Sequence, residues 1–151
     1  MAKDIGQHGH PQGLGYLTFR VMFSAMHELG NPKLNDDENK RIFGKCFRTH
    51  GHHYYVEATV CGPIDPKSGL CCQRDVIEDI LHEKIIGKLN GRHLNKIFPN
   101  TSGEALAKEI FHWLKPEISN LVMVRLQETP KNFFTYGDTV KSLSDFQFLM
   151  Y

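Results

Sequence analysis

Two histidines separated by one glycine, His50-Gly51-His52, carry the clearest chemical signal in the 151-residue sequence. Side chains two residues apart in a strand project from the same face, so both imidazoles can reach one metal ion. His27 ends another β-prone segment and supplies a third ligand if the two segments pair as a hairpin. Three imidazoles with an open fourth position are typical of a catalytic zinc site, whereas magnesium and calcium prefer oxygen ligands. The simpler alternative is a group of surface histidines beside a turn.

A cysteine and a carboxylate complete the set of candidate reactive groups. Cys46 lies four residues before His50 and next to Lys45. A thiol close to a metal and a cation can act as a base or nucleophile, and the alternatives are a fourth zinc ligand or an ordinary loop cysteine. Glu128 ends a third β-prone segment. Its carboxylate could accept paired hydrogen bonds from an amidine-like ring edge, or it could be an exposed charge at a strand end.

The elements that position these groups follow from hydrophobic periodicity. Alternation predicts strands, and a stripe of apolar residues at helical spacing predicts a first helix over 74–89. Ser102 is a candidate N-cap for a second helix that carries Leu106, Ile110 and Trp113. Asn, Pro, Asp and Gly residues between 30 and 45 indicate a long loop. The order is β-β-α-α-β-β, an α+β domain with a four-stranded antiparallel sheet and two helices inserted between strands 2 and 3. The predicted strands are 14–27, 52–60, 120–129 and 133–136.

Composition narrows the functional classes. Eighteen Lys and Arg residues oppose seventeen Asp and Glu residues, for a net charge of +1. Nucleic-acid and membrane-surface binders need a basic excess, so neither partner is expected. No apolar run reaches the length of a membrane span, and the N-terminus lacks the apolar stretch of a signal peptide. We therefore expect a cytoplasmic protein with reduced cysteines at positions 46, 61, 71 and 72.

One domain is expected over residues 14–137, with tails at 1–13 and 138–151. The first tail contains a second His-x-His pair, His8-Gly9-His10, within a Gly- and Pro-containing stretch. No third ligand in a rigid element lies near it in the sequence. This pair is therefore not expected to form a functional site.

Six short segments share their residue patterns and their order with one known family: Phe23-Ser24-Ala25-Met26-His27, Ile42-Phe43-Gly44-Lys45-Cys46, His50-Gly51-His52-His53-Tyr54, Gly62-Pro63-Ile64-Asp65-Pro66-Lys67-Ser68-Gly69, Thr101-Ser102-Gly103-Glu104-Ala105-Leu106-Ala107 and Glu128-Thr129-Pro130-Lys131-Asn132. On these segments the chain resembles the 6-pyruvoyltetrahydropterin synthases, over about residues 17–137. The resemblance implies the tunnelling fold, in which trimers close their sheets into a barrel. Two trimers then stack into a homohexamer, with active sites between subunits.

The resemblance also assigns roles to individual residues. It implies that Zn²⁺ is held by three histidines, that Cys46 is the general base and that Glu128 anchors the pterin. Three further residues match positions near the pterin. The histidines are His27, His50 and His52, and the further positions are Ser102, Gly103 and Glu104.

The implied reaction converts 7,8-dihydroneopterin triphosphate to 6-pyruvoyltetrahydropterin with loss of triphosphate. It combines an internal redox isomerisation with an elimination, so it needs no redox cofactor. The resemblance therefore implies a zinc-dependent carbon–oxygen lyase. A runner-up with the same zinc site is 6-carboxytetrahydropterin synthase of the queuosine pathway.

The chain departs from the family pattern after the first predicted helix. The family carries Leu-Asp-His there, and its Asp and His form a relay with the cysteine. The chain has Leu89-Asn90-Gly91, so neither the negative charge nor the imidazole is present at these positions. His93, two residues further on, is the candidate replacement. A third hypothesis is a catalytically altered paralogue that binds a pterin.

Overall fold

Five strands form one sheet in the computed structural model of the chain, which describes residues 13–138. His8 and His10 lie outside the described residues, as do the expected tails apart from Gly13 and Asp138. The spatial order is β3-β1-β2-β4-β5. This α+β architecture confirms the predicted fold class. The strands are β1 (Leu14–His27), β2 (His50–Pro63), β3 (Arg92–His93), β4 (Leu121–Thr129) and β5 (Asn132–Gly137).

The helices are α1 (Asp36–Phe43), α2 (Arg74–Leu81), α3 (Gly87–Leu89) and α4 (Gly103–Leu114). The predicted first helix is α2 and α3, joined by a π-helical turn at His82–Ile86. The predicted N-cap of the second helix is confirmed, because the Ser102 hydroxyl accepts a hydrogen bond from the Ala105 N–H. None of the helices in residues 13–138 combines the length and the apolarity that crossing a bilayer requires.

The hairpin of β1 and β2 is the longest pairing in the sheet. It is antiparallel along both strands, from Leu14 opposite Pro63 to His27 opposite His50. One face of the sheet packs against α2 and α4 and is apolar, so alternate residues of each strand are buried. Phe23, Tyr54 and several valines and leucines form this core. His27 and His52 fall in the same alternation, which places their side chains on the covered face at the end of the hairpin.

The predicted loop between residues 30 and 45 is wrong over its second half, which contains α1 and a 3₁₀ helix at Gly44–Phe47. Asn35 and Glu38 form a capping box at the start of α1. The buried Asn39 side chain donates to the carbonyls of Asn31, Leu34 and Asn35. Asn and Asp residues often mark loops in a sequence, but here they lie at the start of a helix, where Asn35 caps it. The segment is thereby ordered, and it positions Cys46.

The expected four-stranded antiparallel sheet gains a fifth strand. β3 has only two residues and runs parallel to β1, with His93 opposite Met26. The preceding turn is fixed against β1, because the Ser24 N–H donates to Asn90 Oδ1 at 2.9 Å and the Gly91 N–H donates to the Ser24 carbonyl at 2.7 Å. Gly91 has φ +73°, a conformation that favours glycine. Asn90 and Gly91 thus form a hydrogen-bonded turn.

Replacing Asn39 with aspartate should destabilise the chain. The substitution keeps an acceptor oxygen but removes the side-chain donor to three carbonyls, and it buries a negative charge beside them. The expected cost is about 1–3 kcal/mol, and for a domain of this size each kcal/mol lowers the Tm by roughly 2–4 °C. Thermal unfolding followed by circular dichroism measures this change.

The matched control is Asn35→Asp, which preserves an N-cap acceptor at an exposed helix start and should leave the Tm nearly unchanged. Equal Tm values for the wild type and the Asn39→Asp variant would contradict the assigned role of Asn39.

Candidate active site

Three imidazoles converge where the β1–β2 hairpin ends. The Nε2 atoms of His27 and His50 are 3.0 Å apart. One potential ligand atom from each of His27, His50 and His52 lies within 4.8 Å of the other two. The structure therefore brings together the three predicted metal ligands, and the cross-strand register between His27 and His50 is the reason.

The partners of the Nδ1 atoms show which nitrogen of each ring carries the proton. His27 Nδ1 donates to the Thr101 carbonyl at 3.0 Å, and His50 Nδ1 donates to the Arg48 carbonyl at 2.6 Å. A carbonyl only accepts, so in the neutral rings the Nε2 atoms carry lone pairs. Two lone pairs that face each other at 3.0 Å repel, and a cation bound between them would relieve that repulsion. A carbonyl bonded to Nδ1 is also the usual support of a histidine that binds a metal through Nε2.

The third imidazole has an unsatisfied nitrogen. His52 Nε2 is buried and has no hydrogen-bond partner within the described part of the chain. Burial lowers the pKa of His52, and burial lowers the pKa of His27 to about 4. Both rings are thus neutral near pH 7, the form that binds metal ions. These observations fit a divalent metal ion held by the three histidines.

Glu128 lies beside the histidines. Its Oε1 atom is 3.4 Å from His27 Nε2 and 3.7 Å from His52 Nε2. Burial raises the pKa of Glu128, and the Glu104 carboxylate raises it further, whereas His50 lowers it. The carboxylate adds a fourth acceptor to the cluster. It is therefore placed to bind either a metal ion or a ligand that approaches one.

A cavity of about 730 Å³ opens onto the cluster and contains Cys46. His50, His52 and Glu128 form one part of its wall. Within residues 13–138, the three imidazoles are the only group of potential metal ligands whose ligand atoms all lie within 4.8 Å of one another. Cys46 does not belong to this group. Cys46 is therefore placed to act on a bound molecule. The cavity has room for a small organic ligand, and three cationic side chains line it: Lys45, Arg48 and Lys131.

The start of α4 approaches the cluster from the other side. Thr101, which accepts from His27, precedes the cap residue Ser102. Ser102 lines a neighbouring cavity of about 340 Å³ together with Thr101. Gly103 packs against the Phe134 ring so closely that a Cβ atom would collide with it. Glu104 is exposed and lies near enough to influence Glu128. None of the three residues lines the cavity that contains Cys46, and Gly103 has a packing role.

His93 lines a different cavity from Cys46. Its neighbours there are Lys88, Arg92 and Trp113. The imidazole still influences the cluster, since it contributes to the lowered pKa of His27. His93 Nδ1 is buried without a hydrogen-bond partner in the described residues.

Two supporting residues were not predicted from the sequence. The Thr101 carbonyl fixes the His27 tautomer, and Thr101 Oγ1 donates to the Glu28 carbonyl at 3.0 Å. Tyr54 lies two residues after His52 and is fully buried, with its ring 5.4 Å from the His52 ring. The same alternation that aligned the histidines could have identified Tyr54. No sequence signal identifies a backbone carbonyl as a partner.

Comparisons with known proteins identify the family of the chain. A family model described as 6-pyruvoyl tetrahydropterin synthase matches residues 16–139. A 6-pyruvoyl tetrahydrobiopterin synthase of Drosophila melanogaster is 37% identical over 137 residues, covering 83% of this chain and 80% of the relative. The enzyme of the same name from Dictyostelium discoideum is 36% identical over 126 residues, covering 80% of this chain and 93% of the relative.

Solved structures show the same fold. The structure of Caenorhabditis elegans 6-pyruvoyl tetrahydropterin synthase superposes with a TM-score of 0.78 at 31% identity, covering 84% of this chain and 97% of that one. A Plasmodium vivax 6-pyruvoyl tetrahydropterin synthase superposes with a TM-score of 0.64 at 15% identity, covering 85% of this chain and 99% of that one, and supports the fold alone. The family match spans nearly all the described residues, and the chain belongs to the 6-pyruvoyl tetrahydropterin synthase family.

Proposed function

We propose that the chain is a zinc-dependent lyase that converts 7,8-dihydroneopterin triphosphate to 6-pyruvoyltetrahydropterin and releases triphosphate. The observation that carries this proposal is the cluster of acceptor atoms from three histidines and Glu128 beside a cavity that three cationic side chains help to line. The acceptor atoms suit a bound metal, and the three cations suit a phosphorylated substrate. Family membership supplies the pterin class.

Zinc suits the donor set better than magnesium or calcium. Three neutral imidazoles are borderline-soft nitrogen ligands, and a set of three protein ligands leaves a position for substrate. His27, His50 and His52 would hold the ion, with the Thr101 and Arg48 carbonyls orienting two of the rings. Bound zinc would act as a Lewis acid that polarises the side-chain hydroxyls of the substrate.

The protein's own residues bind and orient the substrate. Glu128 would accept two N–H bonds from the guanidine-like edge of the pterin, which fixes both the position and the direction of the ring. Lys45, Arg48 and Lys131 line the same cavity and would bind the triphosphate. Ser102, Gly103 and Glu104, at the start of α4, are the proposed further pterin contacts. With the ring held at Glu128, the side chain of the substrate would extend along the wall that contains Cys46.

Proton transfer is assigned to Cys46 and His93. The Cys46 thiolate would remove a carbon-bound proton of the substrate side chain, and His93 would return a proton to the ring. His93 lines a separate cavity within the described chain. In the homohexamer proposed in the next paragraph, a second copy of the chain would meet the sheet edge that contains β3.

We propose the homohexamer of the family, a dimer of trimers, and a cytoplasmic location. In residues 13–138 the sheet ends in β3 and β5, and β3 covers only Ala25 and Met26 of β1. Most of the outer edge of β1 is therefore left for pairing with another copy, as closure of a barrel requires. The four cysteines form no disulfide within residues 13–138, which suits a reducing compartment.

A pterin-binding paralogue with altered activity is the second candidate. The observation that favours it is the turn at Asn90 and Gly91. These two residues stand at the positions of the family's relay, and each forms a hydrogen bond with the Ser24 backbone. A third outcome, the carboxytetrahydropterin product, is distinguished by the experiment below.

Elemental analysis should find about one zinc ion per chain in the purified wild-type protein. The His50→Ala variant should lose most of it, because the cluster then has two imidazoles in place of three. The His53→Ala variant is the matched control. His53 lies next to the ligand His52, but its Nδ1 bonds to Ser24 Oγ at 2.7 Å, away from the cluster, so zinc content should persist. Full zinc occupancy in the His50→Ala variant would exclude the proposed site.

Product analysis after incubation with 7,8-dihydroneopterin triphosphate tests the reaction itself. The wild type should form 6-pyruvoyltetrahydropterin and triphosphate. Replacing Cys46 with serine removes the proposed base and should lower turnover by about 10²–10⁴-fold with zinc retained. Cys61→Ser is the control, since Cys61 lies at the far end of β2 and does not line the cavity.

Three other results have distinct meanings in this assay. Formation of the carboxytetrahydropterin product would show that the chain is a 6-carboxytetrahydropterin synthase instead. Unchanged substrate with intact zinc and pterin binding would show that the chain is a pterin-binding paralogue with altered activity. Full turnover in a His93→Ala variant would remove His93 from the mechanism, whereas loss of turnover with zinc intact would support its role.

The Glu128→Gln variant should bind pterins about tenfold more weakly or worse, which corresponds to 1.4 kcal/mol or more. Glutamine keeps the size of the side chain but replaces a charged acceptor with a neutral amide that has one acceptor oxygen. Calorimetry with a pterin measures the affinity, and zinc content is checked in the same samples because Glu128 lies beside the ligands. The exposed Glu83→Gln variant is the control. Equal affinity in the Glu128→Gln variant would exclude its role as anchor.

A further inference from the structure

The strand β1 ends at a candidate metal ligand, and the sheet does not support the chain beyond it. His27 is the last residue of β1 that pairs with β2, and the parallel pairing with β3 ends one residue earlier, at Met26. Glu28 and Leu29 therefore have no strand partner within residues 13–138. Strand ends open more readily than strand centres unless other contacts hold them. The position of the His27 ring thus depends on what binds the two residues that follow it.

One side chain, that of Asn95, binds the Glu28 backbone through both of its polar groups. The Glu28 N–H donates to Asn95 Oδ1 at 2.9 Å, and Asn95 Nδ2 donates to the Glu28 carbonyl at 2.9 Å. A side-chain amide that both accepts and donates in this way replaces the hydrogen bonds that a neighbouring strand would supply. Asn95 therefore supports the chain past the point where β3 ends.

Buried neighbours hold Asn95 in place, although the residue itself is exposed. It belongs to a 3₁₀ helix at Leu94–Lys96, and Leu94 is fully buried. The N–H groups of Ile97 and Phe98 both donate to the Leu94 carbonyl at 2.9 Å, and Phe98 is buried as well. The turn that carries Asn95 is thus anchored in the core on both sides, so its amide binds Glu28 from a fixed position.

The segment of Glu28 and Leu29 connects Asn95 to the candidate reactive groups. Thr101 Oγ1 donates to the Glu28 carbonyl at 3.0 Å, and the Thr101 carbonyl accepts from His27 Nδ1 at 3.0 Å. The Leu29 N–H donates to the Cys46 carbonyl at 2.8 Å. A shift of this segment would therefore move a metal ligand and the candidate base relative to each other.

We propose that Asn95 is a positioning residue of the metal site, which holds His27 in place through the Glu28 backbone and thereby raises the affinity for the metal ion. The proposal rests on the metal site of the proposed function. Asn95 bonds to the backbone next to the ligand rather than to the imidazole itself. A ligand that is already held in place loses less conformational freedom when the ion binds. Residues that orient metal ligands typically contribute about 10–100-fold to metal affinity.

A zinc titration in competition with a chromophoric chelator measures this contribution with the metal alone. The Asn95→Ala and Asn95→Leu variants both lose the two bonds to Glu28, but their side chains differ in size. Each should bind zinc about tenfold more weakly than the wild type or worse, with the circular dichroism spectrum of the folded protein retained. Agreement between the two variants assigns the effect to the hydrogen bonds rather than to packing. The leucine variant decides the question if the alanine variant does not fold.

Asn39 offers a matched control, because it makes the same pair of bonds with the Asn31 backbone. The Asn31 N–H donates to Asn39 Oδ1 at 2.8 Å, and Asn39 Nδ2 donates to the Asn31 carbonyl at 3.1 Å. The Asn39→Ala variant should lose thermal stability, since Asn39 is buried, but should keep the zinc affinity of the wild type. Equal losses of zinc affinity in the Asn39 and Asn95 variants would reduce the effect to general destabilisation and overturn the proposal.

Cobalt(II) in place of zinc gives a spectroscopic readout, because its visible absorption bands depend on the arrangement of its ligands. The bands should change in the Asn95→Ala variant and stay those of the wild type in the Asn39→Ala variant. Wild-type zinc affinity and a wild-type cobalt spectrum in the folded Asn95 variants would overturn the role of Asn95 and leave the metal site intact. Failure of the wild type itself to bind either ion would instead overturn the metal site of the proposed function, and this role with it.

Discussion

The antiparallel register of β1 and β2 is the constraint on which the candidate site depends. A slip of one residue in a strand moves every side chain to the opposite face, so it would separate His27 from His50 and His52. The register is held by the apolar residues that share the face of the histidines, such as Phe23 and Tyr54, whose rings stack 5.0 Å apart. Packing of the hydrophobic core therefore also determines the position of the proposed metal ligands.

The cluster is built from groups that accept hydrogen bonds, and this determines what it can bind. His27 is almost completely buried, and its single N–H is already used by the Thr101 carbonyl at the start of α4. Glu128 brings a carboxylate to within 3.4 Å of His27. A site of this kind is stabilised by a cation, because buried acceptors without donors are costly. The sheet and the start of α4 thus cooperate to form a site with a defined charge preference.

The sequence predicts the parts of this structure that depend on local periodicity. The strand over 14–27 and the grouping of the three histidines follow from alternation, and both are found. The helix at Asp36–Phe43 was missed because its Asn and Asp residues also occur in loops, and only the structure shows them as caps. The closeness of Glu128 to His27 depends on the pairing of β2 with β4, which no local pattern specifies. The two-residue strand β3 likewise depends on distant hydrogen bonds to Ser24.

The turn at Asn90 and Gly91 connects the departure from the family pattern to the rest of the fold. Its hydrogen bonds to Ser24 hold the following residues against β1, and His93 lies opposite Met26, one residue before the ligand His27. An imidazole therefore remains beside the cluster although positions 90 and 91 carry none. The same pairing directs Arg92 and His93 to a cavity that Trp113 also lines. One short turn thus sets the position of the candidate proton donor.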